Sequence, residues 1–214
     1  MNPDFLTTLK THMEVRLLLS AVLCEPDTSV FAAENVGQRL VTAFAYLLPE
    51  ADLPTLDLDD PRKMLIAHTK LFVGPDKIPA PPYGSVYLEK DGRVMGRSTA
   101  DVEQFYASQG LKVAPDQSEL SDHAVVELEF SGQMLLKAAA ALEEGLLVEA
   151  DKILQNHELF DSKLMRSWLP LFGRHMEEAG IHPFYTGVGN LLQLLPPVPA
   201  NPASLGIAAN EVNG

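Results

Sequence analysis

Apolar residues in this chain return every three, four or seven positions, in stripes that prolines cut short, and this pattern constrains the fold more than any other feature. From Asp4 to Cys24 the stripe is Phe5, Leu9, Met13, Leu17 and Cys24, the buried edge of an amphipathic helix that Pro26 stops. Thr28 or Ser29 can cap a second helix carrying Ala33, Val36, Leu40, Phe44 and Leu48, ended by Pro49. An acidic loop over residues 50–58 follows. Asp60 and Pro61 make a cap and first-turn pair, since the carboxylate accepts unpaired backbone N–H groups and proline has none to leave unpaired. Met64, Leu65, His68, Leu71 and Phe72 then share one face of a third helix.

The stretch from Leu71 to Gly92, LFVGPDKIPAPPYGSVYLEKDG, breaks the rhythm. Prolines 79, 81 and 82 fix φ and remove backbone donors, which predicts a stiff extended strap laid across the body of the protein. A free linker would be polar, whereas Ile78, Tyr83, Val86 and Tyr87 favour packing over water. Stiffness also lowers the entropy lost when such side chains are presented to a partner. Val86 to Val94 alternates weakly around Asp91-Gly92, which predicts a short hairpin, the only β structure expected.

Ser98, with Asp101 three residues on, forms a variant capping box before a short helix lined by Val102, Phe105 and Tyr106 and terminated by Gly110. After a loop over residues 111–117, a long helix is predicted from Ser118 to Gly145. Its stripe is Ala124, Leu128, Leu135, Ala138 and Leu142, and Glu119 and Asp122 lie near its positive end. Residues 147–156 suggest a short helix. Phe160, Leu164, Trp168, Leu171, Phe172, His175 and Ala179 mark another, which Pro170 must kink or break. Pro183 starts a last helix through Tyr185, Val188, Leu192 and Leu195. The sum is an all-α, single-domain bundle of about seven to nine helices with a Pro-rich strap loop, over residues 1–195. With 214 residues the chain can bury one substantial core, and residues 196–214, with little to bury, read as a flexible tail.

A formal charge of −13, from 16 basic and 29 acidic side chains, would repel a phosphate backbone, so nucleic acid is not an expected partner; the same field would attract a cationic peptide. Cys24 is the single cysteine, which rules out an intramolecular disulfide and fits a reducing, cytoplasmic setting. The N-terminal stretch lacks the basic start of a signal peptide, and its apolar run is too short to span a bilayer, so neither export nor membrane insertion is expected.

Asp122, His123 and Glu127 are the one constellation that strains the helical pattern. Glu127 falls beside Leu128, Phe130 and Met134 on a face expected to be partly buried, one turn after His123, and a buried carboxylate needs a partner. Two readings stay open. His123 and Glu127 satisfy each other or tie down the preceding loop, or they form the polar floor of a groove that accepts guanidinium or backbone donors. The His-x-x-x-Glu spacing offers two metal ligands and no third, so no metal site is expected. Neither glycine-rich phosphate motif occurs, and no cofactor is expected. Ser85 or Ser121 near His123 lacks a nucleophile elbow and an oxyanion loop, which leaves a small-ligand-binding enzyme or hydrolase using His123 and Glu127 as the alternative function. His68 and Trp168 read as core.

Three segments, the strap LFVGPDKIPAPPYGSVYLEKDG, then SDHAVVELEF, then FDSKLMRSWLPLFGRHM, resemble in order and spacing the landmarks of the TorD/DmsD/NarJ family of redox-enzyme maturation chaperones, over roughly residues 5–195. The resemblance implies an all-α cytoplasmic chaperone without enzymatic turnover. It would bind the twin-arginine signal peptide or N-terminus of a molybdenum-cofactor oxidoreductase subunit, holding it until cofactor insertion and folding precede export, and would also contact the body of that enzyme. It further implies a monomer or a helix-swapped dimer. Motif correspondence carries over Pro81, Pro82, Tyr83, Ser85, Tyr87, Asp122, His123 and Glu127 as peptide-binding positions. Phe72 and Phe130 join Tyr83 and Tyr87 as the apolar cover expected for the peptide, while Asp122 and nearby carboxylates would meet its basic end. Gly84, where many relatives have glutamate, and Ser131, where they have methionine, depart from the pattern.

Overall fold

The computed structural model describes residues 3–75, 77–110 and 119–200. The predicted loop over 111–117 and most of the predicted tail, residues 201–214, lie outside the described residues. The helices are α1 (Pro3–Leu23), α2 (Thr28–Ala33), α3 (Val36–Leu47), α4 (Pro61–His68), α5 (Gly84–Leu88), α6 (Arg97–Ser108), α7 (Ala124–Glu143), α8 (Leu147–Lys163), α9 (Leu169–Ala179) and α10 (Pro183–Leu194). Eight have eight residues or more, within the expected seven to nine, and α2 and α5 are short additions. Among the described residues there is no strand, so the fold class is all-α as read.

Local sequence placed several boundaries correctly. Asp60 caps α4 by accepting from Arg62 and Lys63 N–H groups, with Pro61 in the first turn, and Pro183 opens α10. Elsewhere the structure corrects the sequence reading. The second helix is two: Asp27, not Thr28 or Ser29, caps α2, and the chain breaks at Asn35, whose left-handed φ of 49° suits asparagine better than most residues. Ser98 is not a cap, because α6 begins at Arg97 and the Ser98 N–H and hydroxyl both bond the Glu89 carboxylate at 2.8 Å. That bond folds the chain back, and residues 86–94, expected as a hairpin, are instead α5 and a turn. Pro170 does break its helix. α8 runs on to Lys163, a 3₁₀ turn spans Met165–Ser167, and α9 restarts with proline in its first turn, where its missing N–H is harmless.

α1 and α7 lie against each other as the central pair. Gly132 of α7 allows it, since a Cβ there would lie 2.6 Å from the Leu17 side chain. α9 and α10 approach just as closely, Gly173 and Gly189 each facing the other's carbonyl. The main core gathers Leu19, Leu40, Phe44, Met64, Leu71, Leu128, Phe172 and Leu191. A smaller cluster at the other end of α1 joins Phe5 and Leu9 to Leu135, Leu142 and Leu154, and Val198, from the stretch beyond α10, packs on it.

Between these clusters Arg16 is fully buried in α1. Its guanidinium donates to Asp161 of α8 at 3.1 Å and to the His12 carbonyl at 3.2 Å, and Arg166 meets the other Asp161 oxygen at 2.6 Å. His157 and Ser131 share a 2.8 Å hydrogen bond. Burial, then Arg16, lowers His12 to about 3, so its ring stays neutral beside the guanidinium.

Candidate functional site

α4 does not end where its stripe does. It continues through a π-helical turn, Thr69–Val73, closed by the Gly74 N–H bonding back to the Thr69 carbonyl at 3.0 Å. The extra residue keeps Leu71 and Phe72 in the core while Val73 faces outward, and the strap departs from that edge.

The strap is held by the start of α7 through backbone bonds. Ala124 N–H donates to the Pro82 carbonyl and Gly84 N–H to the Asp122 carbonyl, both at 2.8 Å, making an antiparallel bridge between Tyr83 and His123. The Asp122 carboxylate then accepts the Ser85 N–H at 2.7 Å, satisfying a donor of α5 from 37 residues away. This explains why the long helix begins at Ala124 and not at Ser118: the backbone groups around Asp122 are paired with the strap. His123 becomes the cap of α7, its Nδ1 accepting from Val125 N–H at 3.2 Å. A neutral ring that accepts at Nδ1 carries its proton on Nε2, 3.7 Å from Glu119 Oε2. Tyr83 donates its hydroxyl to the same Glu119 oxygen at 3.1 Å and sits edge-on to the His123 ring at 5.0 Å. Burial, then Glu119, pushes the Tyr83 hydroxyl up to about 12, so it remains a donor, while burial lowers His123 against the opposing pull of Glu119 and Asp122.

These groups open on a cavity of about 420 Å³. One wall is the end of α1, with Leu23, Cys24 and Glu25. The second is the π turn, with His68, Phe72 and Val73. The strap adds Ile78, Pro82 and Tyr83, and the approach to α7 adds Glu119, His123 and Val125. His68 donates Nε2–H to the Leu23 carbonyl at 3.2 Å, as it must because a carbonyl only accepts, and burial lowers its basicity. The groove mixes apolar side chains with two carboxylates and two histidines, and among the described residues no Lys or Arg lines it. The three other cavities described here each have a cation, Arg166, Lys152 or Lys163.

Of the residues singled out from sequence, Phe72, Pro82, Tyr83 and His123 line this groove, and Pro81 is half-buried in the strap beside it. Asp122, 1% exposed, and Ser85 lie behind the wall as struts. Tyr87 points elsewhere, stacking on Trp168 at 5.5 Å and meeting His175 at 5.3 Å. Phe130 does not cover the groove either. It is buried among Tyr106 (4.3 Å) and Phe160 (4.8 Å). His123 and Glu127 do not pair through their side chains: Glu127 Oε2 accepts from Trp168 Nε1 at 3.0 Å, and burial pushes the carboxyl up to about 8, so it is largely protonated at neutral pH. The two residues converge on no common cavity described here. Sequence reasoning missed Glu25 and Val73 outright and read Glu119 only as a helix-start carboxylate. A carboxylate between a helix end and Pro26 gave no signal of its own. Among the described residues no group of three or more His, Cys, Asp or Glu could hold a metal ion, and no helix is long and apolar enough to cross a membrane.

The family profile described as nitrate reductase delta subunit matches residues 33–174, more than half of the chain. The chain belongs to this family. The resemblance drawn from the strap, the Asp-His segment and the tryptophan helix therefore holds. Among curated relatives it is 35% identical to the Tat proofreading chaperone DmsD of Salmonella typhi over 129 residues, and 31% identical to the chaperone protein TorD of Vibrio parahaemolyticus over 123 residues. Those alignments cover 60% and 58% of this chain, and the chain spans 56% of the length of either relative. A solved structure, a redox enzyme maturation protein from Archaeoglobus fulgidus, shares the fold with a TM-score of 0.53 at 22% identity, over 85% of this chain and 91% of that one.

Proposed function

We propose that this protein is a maturation chaperone, acting in the cytoplasm without turnover, that binds the twin-arginine signal peptide or N-terminus of a molybdenum-cofactor oxidoreductase subunit and holds it until cofactor insertion and folding precede export. The observation that carries the reading is the groove between α1, the π turn, the strap and α7, where apolar side chains such as Phe72, Val73 and Ile78 stand beside two carboxylates with no Lys or Arg among the described residues. A leader that joins arginines to an apolar stretch is its chemical complement. The apolar part gains affinity by leaving water, and the carboxylates fix which end lies where. The names of the TorD and DmsD relatives support the same role. Tyr83 and Phe72 would contact the apolar stretch and Glu119 the basic end, with Asp122 and Ser85 fixing the strap.

Calorimetric titration of the purified chain with a synthetic peptide carrying Arg-Arg ahead of a Leu/Ala-rich stretch tests the proposal. Saturable binding that weakens when the pair becomes Gln-Gln is expected, along with co-purification of a molybdoenzyme precursor. Absence of binding to the arginine peptide would overturn it.

A further inference from the structure

We infer that Trp168 is a positioning residue of the groove: its indole, held by Glu127, is the stop against which the strap rests at Gly84, and it thereby sets where Tyr83 stands. This rests on the peptide-binding reading above and gives a part in it to a side chain that lines no wall of the groove. Gly84 follows Tyr83 and opens α5, with a neighbour on either hand. Its N–H donates to the Asp122 carbonyl at 2.8 Å, one half of the bridge to α7. Against its Cα stands the indole, so close that a Cβ at position 84 would lie 2.8 Å from Trp168 Nε1, 3.0 Å from Cε2 and 3.2 Å from Cδ1. Gly84 has no positive φ, so this approach, and not the backbone, is what requires glycine there.

Of the two partners in that contact, the indole is the fixed one. It is fully buried, donates Nε1–H to Glu127 Oε2 at 3.0 Å, stacks on Tyr87 at 5.5 Å and meets the Phe172 ring at 5.8 Å. The strap is the softer one. Three hydrogen bonds dock it on the start of α7, and Asp122 Oδ1 and Ser85 Oγ are buried beside them without a partner. A larger residue at position 84 would move the strap and leave the ring where it is. Tyr83, one residue back, would move with the strap, and its 3.1 Å hydrogen bond to Glu119 in the groove depends on the same placement. Trp168 is also the single tryptophan of the chain, so its emission reports on this contact alone.

The test is titration of the full chain, Gly84→Ala, Trp168→Leu and the double variant with the synthetic Arg-Arg peptide, which contains no tryptophan. Gly84→Ala should weaken binding roughly tenfold while keeping the helical signal and a cooperative melt, because overpacking against a fixed ring leaves only a fraction of molecules with the strap in place. Trp168→Leu removes Nε1 and Cε2 but keeps an apolar side chain, and in that background Gly84→Ala should cost no affinity. In Gly84→Ala the Trp168 emission should shift to the red and return at saturating peptide. Equal affinity for wild type and Gly84→Ala, or the same loss in the Trp168→Leu background, overturns the role of Trp168 while leaving the peptide-binding reading in place. Should Trp168→Leu not fold, emission decides: lost affinity in Gly84→Ala with unchanged emission overturns it too. If the wild-type chain binds no Arg-Arg peptide, the peptide-binding reading falls, and Gly84→Ala still tests the contact itself. A red shift with faster amide exchange at Ser85 and Ala124 then upholds the coupling of ring and strap, and no change in either overturns it.

Discussion

Two buried polar clusters in this protein use similar residue types for opposite ends. Around Arg16, two guanidinium groups close on the single Asp161 carboxylate, and His157 pairs with Ser131, so that α1, α7, α8 and the 3₁₀ turn are locked together. Around Asp122, the strap is docked by three bonds, and the neighbouring Tyr83, His123 and Glu119 open on a groove; each cluster leaves buried polar atoms without a hydrogen-bond partner, Arg16 Nε in the first and Asp122 Oδ1 and Ser85 Oγ in the second. The difference teaches where to look for function in an acidic helical bundle. A cluster whose carboxylate is held between two guanidinium groups ties helices together, while one whose carboxylates meet no cation among the described residues, at an opening, has something left to bind.

Breaking the closed cluster should have the largest effect. Asp161→Ala leaves two guanidinium groups buried or half-buried without their carboxylate and should lose about 3–5 kcal/mol of stability in urea unfolding. Asp122→Ala, at the open cluster, should lose about 1–3 kcal/mol, with faster amide exchange at Ser85 and Gly84 and peptide affinity falling alongside. Should the two variants be equally stable, the contrast between locking and docking fails.

Tyr83→Ala leaves the backbone bridge intact and should reduce peptide affinity roughly tenfold with little salt dependence, because what is lost is mainly apolar contact. Glu127→Gln sharpens the comparison through pH. The folded carboxyl is raised from the ordinary 4.5 to about 8, so its contribution is fully present below 4.5 and is lost as pH rises through 8. The variant should keep the acceptor for Trp168, flatten that decline, and be about 1–2 kcal/mol more stable than wild type at pH 9 in thermal or urea melts.

The smallest effect belongs to the groove histidines. Burial lowers both His68 and His123 below 6.5, so they are neutral at pH 7 and gain charge only on acidification. Affinity for an arginine peptide should be flat between pH 7 and 8 and fall severalfold towards pH 5, as measured by titration across that range.

Much of this molecule was legible along the chain. Stripes such as Phe5, Leu9 and Met13, the Asp60-Pro61 start and the Pro170 break follow from a 3.6-residue period and from the donor that proline lacks, both local properties. Tyr83 and His123 were legible as a pair because their segments carry a family resemblance. Where the reading failed, a distant group had replaced a local one. Ser98 looked like a cap, but Glu89 takes its N–H; the long helix looked continuous from Ser118, but strap residues pair with the backbone beside Asp122. Phe130 and Tyr87 looked like groove residues until the aromatic neighbours of each showed which side they face.

The sequence by itself determined that this chain is a helical bundle crossed by a stiff proline strap, because periodicity and the fixed φ of proline act over a few residues. Only the tertiary structure decided that Glu25 and Glu119, from opposite sides of the strap in sequence, share one groove while Glu127 is shut behind Trp168. Charge in a protein is tuned by burial and by neighbours in space, and those are set by how α1, α4 and α7 pack, a property no single stretch of the chain contains.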